Sequence, residues 1–232
     1  MFRIIFVLDI LNGKVVHAVK GEREKYGPIH NFSKVCESSD PLHIVDELSP
    51  RELYIADLNR LEGSGNNDEA IKQLGWKTSL MLDCGASTMD DVHLGQEMAG
   101  SVILGTETAT LELVESASNF YPRSINMSID IKDGNILTSE PAFNIPPIDL
   151  IKMLNGYDIN DLVILELSKV GTSSGINTEF LKQVVDHSNH NILLGGGIRN
   201  KDDISHLKDI GLAGVLVATA VHNGALPLDM IR

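Results

Sequence analysis

The sequence predicts an α/β protein: a closed (β/α)₈ barrel, a TIM barrel, built from two similar half-barrels. Three observations carry this reading. The chain repeats itself at about half its length of 232 residues. It contains eight short apolar runs, and amphipathic segments with recognisable helix starts lie between them. Parallel strands buried on both faces read as such continuous apolar runs, and a period near half the chain calls for a duplicated architecture.

The repetition is visible residue by residue. Ser64-Gly65-Asn66-Asn67-Asp68-Glu69-Ala70-Ile71-Lys72-Gln73 aligns with Ser174-Gly175-Ile176-Asn177-Thr178-Glu179-Phe180-Leu181-Lys182-Gln183, with Ser, Gly, Asn, Glu, Lys and Gln shared. Residues 52–58 match 161–167, and 85–91, ending in Asp90-Asp91, match 197–203, ending in Asp202-Asp203. Val102-Ile103-Leu104-Gly105-Thr106 matches Val215-Leu216-Val217-Ala218-Thr219, and Leu8-Asp9-Ile10 matches Ile129-Asp130-Ile131. The order is kept throughout, so a single domain over residues 1–232 is expected, with halves at about 1–120 and 121–232. Strands are expected at 3–8, 52–56, 79–82 and 101–104, then at 124–129, 161–165, 191–194 and 213–217. Residues 14–20 read as a small hairpin after the first strand.

Helix starts follow the strands. Asp40-Pro41 places a cap before a proline at the first helical position, and Pro146-Pro147 opens the fifth helix in the same way. Thr88 and Asn200 each precede an acidic first turn. Four βα units, repeated, close a barrel near the ~250 residues typical of the fold. An open doubly wound sheet is the alternative, but it gives no reason for two equal halves.

Composition narrows the function. The chain is 43% hydrophobic with a net charge of −13, which excludes a disordered chain and argues against a nucleic-acid partner. No apolar run approaches the ~20 residues of a membrane span, and the first is too short for a secretory h-region. Cys36 and Cys84 make neither a disulfide framework nor a metal spacing, and the eight histidines lack a His-x-x-x-His pattern. The expectation is a cytoplasmic protein without metal, a monomer or small homo-oligomer that engages neither membrane nor nucleic acid.

In such barrels chemistry lies at the C-terminal strand ends. Asp9 and Asp130 end strands one and five, opposite each other, where two carboxyls can act as general acid and base. Gly195-Gly196-Gly197 after strand seven and Ala218-Thr219 after strand eight fit a phosphate cradle, as does Gly105-Thr106 after strand four. Asp57 and Glu166 end strands two and six, and Gly171-Thr172 lies just beyond. These four are either substrate-binding groups or local loop partners. Asp83 stands where the second half has Gly195, and its charge opposes a phosphate there. Cys84 reads as a small buried side chain.

These residues resemble the histidine-biosynthesis barrels: the phosphoribosylformimino-aminoimidazole carboxamide ribotide isomerase and the cyclase subunit of imidazole glycerol phosphate synthase. The likeness rests on Val7-Leu8-Asp9-Ile10-Leu11-Asn12-Gly13-Lys14-Val15-Val16, Asp130-Ile131-Lys132-Asp133-Gly134, Gly195-Gly196-Gly197-Ile198-Arg199 and Gly105-Thr106. The stretch Lys14-Val15-Val16-His17-Ala18-Val19-Lys20-Gly21 leans to the isomerase branch. The resemblance implies an Amadori rearrangement of a phosphorylated aminoaldose without a cofactor, with Asp9 and Asp130 as the catalytic pair. The sequence departs from the pattern in three ways. Asp83-Cys84-Gly85-Ala86-Ser87 replaces a Gly-Gly-Gly-Ile-Arg type loop. Leu165 and Val170 stand for a threonine and an aspartate, and Ala218 stands for a glycine. They point to an altered substrate, a related and singly phosphorylated sugar derivative. A cyclase or lyase on the same fold, and a barrel that binds a phosphorylated metabolite without turnover, are the other readings.

Overall fold

The computed structural model describes residues 2–172 and 175–232; Ser174, one position of the repeat, lies outside the described residues. Eight parallel strands follow one another around a ring: β1 (Arg3–Leu11), β2 (Glu52–Asp57), β3 (Ser79–Asp83), β4 (Val102–Gly105), β5 (Ile125–Lys132), β6 (Asp161–Glu166), β7 (Asn191–Gly195) and β8 (Gly214–Val217). Pairing of Arg3 with Gly214 through Phe6 with Val217 closes β8 onto β1, so the sheet has no free barrel edge. All eight expected runs are strands, most extended by one to three residues at the C-terminal end.

The helices are α1 (Pro41–Leu48), α2 (Asp68–Gly75), α3 (Met89–Ala99), α4 (Leu111–Phe120), α5 (Pro147–Leu154), α6 (Thr178–His187) and α7 (Lys201–Asp209). The Asp40 side chain caps α1, with Pro41 in its first turn. Thr88 and Asp91 form a reciprocal capping box on α3, Asn200 caps α7, and Pro147 starts α5. Each cap satisfies amide groups that have no intrahelical partner.

Alternation along the strands sorts side chains into two layers. Phe6, Leu8, Ile10, Leu53, Ile55, Leu162 and Ile164 face outward against the helices. Ile5, Tyr54, Ala56, Met81, Ile103, Val163, Leu193 and Leu216 fill the barrel interior. The floor is closed by Arg3, which bonds Glu52 at 2.9 Å and the buried Asp161 at 2.6 Å.

Strands β1 and β5 end alike. Each turns back through two residues of positive φ, Asn12 and Gly13 (50° and 73°) or Asp133 and Gly134 (52° and 82°). That conformation suits the right-handed twist of a hairpin. The returning segments are Lys14–His17 on β1 and Asn135–Ile136 on β5. Registers match as well: Asp9 pairs with Ala56 of β2, and Asp130 with Leu165 of β6.

Candidate active site

The C-terminal ends of the strands surround a cavity of about 430 Å³, within the range of small-ligand sites. Its walls include Asp9, Tyr54, Asp83, Gly105 and Asp130, which all stand on inward-facing positions of their strands.

Three carboxyls share this space. Asp83 is buried and accepts hydrogen bonds from the Tyr54 hydroxyl and the Gly85 amide, both at 3.1 Å. Asp130 accepts from the Ser128 hydroxyl at 3.3 Å and the Thr106 hydroxyl at 3.4 Å. Among the described residues, Asp9 has no side-chain hydrogen bond. Burial raises Asp9 to about 7, with the charge of Asp83 adding to the rise and Arg23 opposing it. Burial likewise raises Asp130 to about 7, reinforced by Asp83 and Glu107. Asp83 itself rises to about 6 through burial, held back by its bonds to Gly85 and Tyr54. Desolvation and like charge both disfavour ionisation, so the cluster carries fewer than three charges at neutral pH. Tyr54 is pushed up for the same reasons and stays a hydroxyl.

The opposite wall has a different character. Gly195, Gly196, Gly197, Ala218 and Thr219 line it. The glycines are demanded by neighbouring chain. A Cβ on Gly195 would lie 2.2 Å from Leu165, one on Gly196 3.0 Å from the Glu166 carbonyl, and one on Gly197 2.6 Å from the Gly175 carbonyl. After β8 a single helical turn, Thr219–His222, begins at Ala218 with no side-chain cap. Its leading amides are therefore open to an acceptor.

Gly171 also lines the cavity, and its glycine is required because the Ala18 carbonyl lies 2.3 Å from where a Cβ would be. The chain after the β1 hairpin folds over the mouth here, fixed by Lys20 N–H to the Val170 carbonyl at 3.0 Å. Arg23 ties it down further, 3.6 Å from Glu107 and 4.0 Å from Glu62.

Four of the expected site residues are not on the cavity wall. Asp57 is fully buried and accepts from Asn67 at 2.6 Å and from the Arg60 amide, holding the loop after β2. Glu166 pairs with Lys169 at 2.9 Å. The Thr172 hydroxyl donates to the Lys169 carbonyl at 2.7 Å. Thr106 is buried and serves Asp130, while Gly105 beside it leaves room for Ser128, whose hydroxyl oxygen is 3.2 Å from a built Cβ. Parity explains three of them. Asp57, Glu166 and Thr106 continue the outward-facing alternation of Leu53-Ile55, Leu162-Ile164 and Val102-Leu104. The same alternation would have pointed to Tyr54, two residues before the inward Ala56. Arg23 and His222 reach the cavity from loops, which carry no such period.

Cys84 is buried, and burial with the nearby Asp83 pushes its thiol up to about 12, so it is no nucleophile. Among the described residues, no group of three or more His, Cys, Asp or Glu side chains is placed to hold a metal ion. No helix among them is long and apolar enough to cross a membrane.

Residues 3–227 match the family model described as histidine biosynthesis protein. The chain belongs to this family. It is 32% identical to an uncharacterized protein of Methanocaldococcus jannaschii, over 99% of this chain and 97% of that one. It is 27% identical to a 1-(5-phosphoribosyl)-5-((5-phosphoribosylamino)methylideneamino)imidazole-4-carboxamide isomerase of Prochlorococcus marinus, over 97% of this chain and 91% of that one. The enzyme of the same name from Lactococcus lactis is 26% identical over 97% and 94%. The chain is thus a divergent member of a histidine-pathway-like isomerase family with a TIM barrel.

Proposed function

We propose that the protein is a cofactor-independent isomerase that converts a phosphorylated aminoaldose to the aminoketose, with Asp9 and Asp130 as the acid–base pair. The observation that carries this reading is the pair itself. Two inward carboxyls stand on β1 and β5, four strands apart in either direction around the ring, and both rise to about 7. Groups that titrate near the working pH divide donor and acceptor roles most effectively.

One carboxyl protonates the ring oxygen as the C1–O bond breaks and an open-chain imine forms. The other, ionised, removes the C2 proton to give an enaminol. Protonation at C1 and loss of the O2 proton then yield the ketose. The protons lost from C2 and O2 are matched by those gained at C1 and the ring oxygen, so no oxidant or reductant is needed. The glycine loop after β7 and the uncapped turn after β8 at Thr219 hold the substrate phosphate. Asp83, where a second cradle would lie, favours a related sugar derivative with one phosphate over a bisphosphate.

Asp9→Asn or Asp130→Asn should each lower turnover by at least about 10³-fold, assayed on phosphorylated aminoaldoses, and leave binding of a phosphate ester by calorimetry nearly unchanged. Activity within tenfold of wild type in either variant overturns the mechanism. Complementation of a histidine auxotroph lacking the isomerase separates substrates. Growth assigns the histidine-pathway intermediate, and failure with phosphate-ester binding retained assigns a different metabolite.

A further inference from the structure

His222 closes the single turn after β8 and lies on the cavity wall with Thr219, which is three residues earlier and so on the same face of the turn. It is 1% exposed, and its Nε2 is buried without a hydrogen-bond partner among the described residues. Buried polar groups in folded proteins are rarely left in this state.

The bonds around the other ring nitrogen fix what Nε2 can do. Nδ1 lies 2.9 Å from the Ser33 hydroxyl oxygen. That oxygen already accepts the Val35 and Cys36 amides, each at 3.1 Å. A hydroxyl has two lone pairs and one proton, so with both pairs engaged Ser33 donates its proton to Nδ1. The Cys36 thiol, 3.2 Å from the same oxygen and 3.8 Å from Nδ1, is a further donor and leaves the assignment unchanged. The neutral ring therefore carries its hydrogen on Nε2. His222 offers an uncharged N–H on the turn that carries those leading amides.

A second histidine shares this wall. His17 stacks on Phe32 with ring centroids 3.9 Å apart, and its Nε2 is likewise buried with no partner among the described residues. The residues facing the two rings, Phe32 and Ser33, are adjacent in sequence, and the Lys34 amide donates to the His222 carbonyl at 2.7 Å. The chain after the hairpin thus holds both rings in place. Burial, with His17 nearby, lowers His222 to about 4, so the ring stays neutral in the working range.

We propose that His222, seconded by His17, is a specificity-determining residue that donates its Nε2–H to an oxygen of the phosphate bound at Ala218 and Thr219. The proposal rests on the reading that this end of the cavity takes a phosphate. A neutral imidazole supplies direction rather than charge, and it ties the choice of ligand to Ser33 and Phe32 in a separate loop.

The test uses inorganic phosphate and ribose 5-phosphate as probes, with calorimetry on wild type, His222→Phe and His222→Gln. Gln places an amide N–H near the position of Nε2. The expected result is at least tenfold weaker binding of both probes by His222→Phe, with His222→Gln within about threefold of wild type. Equal binding by wild type and His222→Phe overturns the proposal. Failure of wild type to bind either probe overturns the phosphate reading beneath it. Two-bond proton–nitrogen NMR spectra of the wild-type protein at pH 7.5 apply even where a variant does not fold. The Nε2–H pattern, with a shift of that nitrogen on adding phosphate, supports the assignment; an Nδ1–H pattern sinks it.

Discussion

The ends of β3 and β7 lie opposite each other across the cavity and hold the same backbone position differently. On β7 the inward position is Gly195, paired with Leu165 of β6, whose methyl group fills the space a side chain would need. On β3 it is Asp83, paired with Ala56 of β2, which leaves that space open. Large beside none on one side, small beside charged on the other: the total volume is nearly conserved while the charge is moved. Polarity at a barrel mouth can therefore be redistributed through paired substitutions on adjacent strands at the same register. Both members of each pair must change together.

The most severe way to break this compensation is Gly195→Asp. It forces a carboxyl into space occupied by Leu165 and should cost about 3 kcal/mol or more in urea unfolding, from overpacking and an added buried charge. Leu165→Ala in the same chain should recover a substantial part. A double variant no more stable than the single one would show that volume is not what divides the two sides.

Asp83→Asn tests the charge half of the comparison with a smaller effect. The folded carboxyl stands near 6 against an ordinary 3.8. A raised carboxyl contributes stability that is fully present below the unfolded value and is lost as pH rises through the folded one. At pH 8 its removal should therefore stabilise the fold by on the order of 1–2 kcal/mol, whereas at pH 3 the two proteins should unfold alike. Carboxyl titrations of Asp9 and Asp130 followed by NMR should move down together, since Asp83 raises both. Titrations that stay in place would uncouple Asp83 from the pair.

Thr106→Val sharpens the contrast between the paired acids themselves. Asp130 is held by the hydroxyls of Thr106 and Ser128, whereas Asp9 lacks such bonds among the described residues. Losing one hydroxyl should raise Asp130 by less than about one unit, leave Asp9 unmoved, and cost about 1 kcal/mol. Equal movement of both carboxyls would mean that Thr106 acts through the general field of the site.

The barrel was legible because strand periodicity and repetition are local properties of sequence. Asp9 and Asp130 were legible on the cavity wall because they end strands one and five at equivalent positions of the two halves. Depth alone misplaced Asp57, Glu166 and Thr106, since a one-residue step reverses the face. Arg23, His17 and His222, which line the cavity from beyond the eight strand ends, were not legible as site residues. Their positions depend on how the chain after β1 packs against β4, β6 and the turn after β8, and contacts that distant in sequence leave no local spacing to read.

Arg23 joins that segment to Glu62 and Glu107 at the rim, with its side chain about one-third exposed. Such a clasp is held by charges that mobile ions can reach, and it slackens as ionic strength rises. The carboxyls beneath are shielded from those ions. The clasp at the mouth and the carboxyls at its base thus answer to different variables, and salt acts on the first while leaving the second in place.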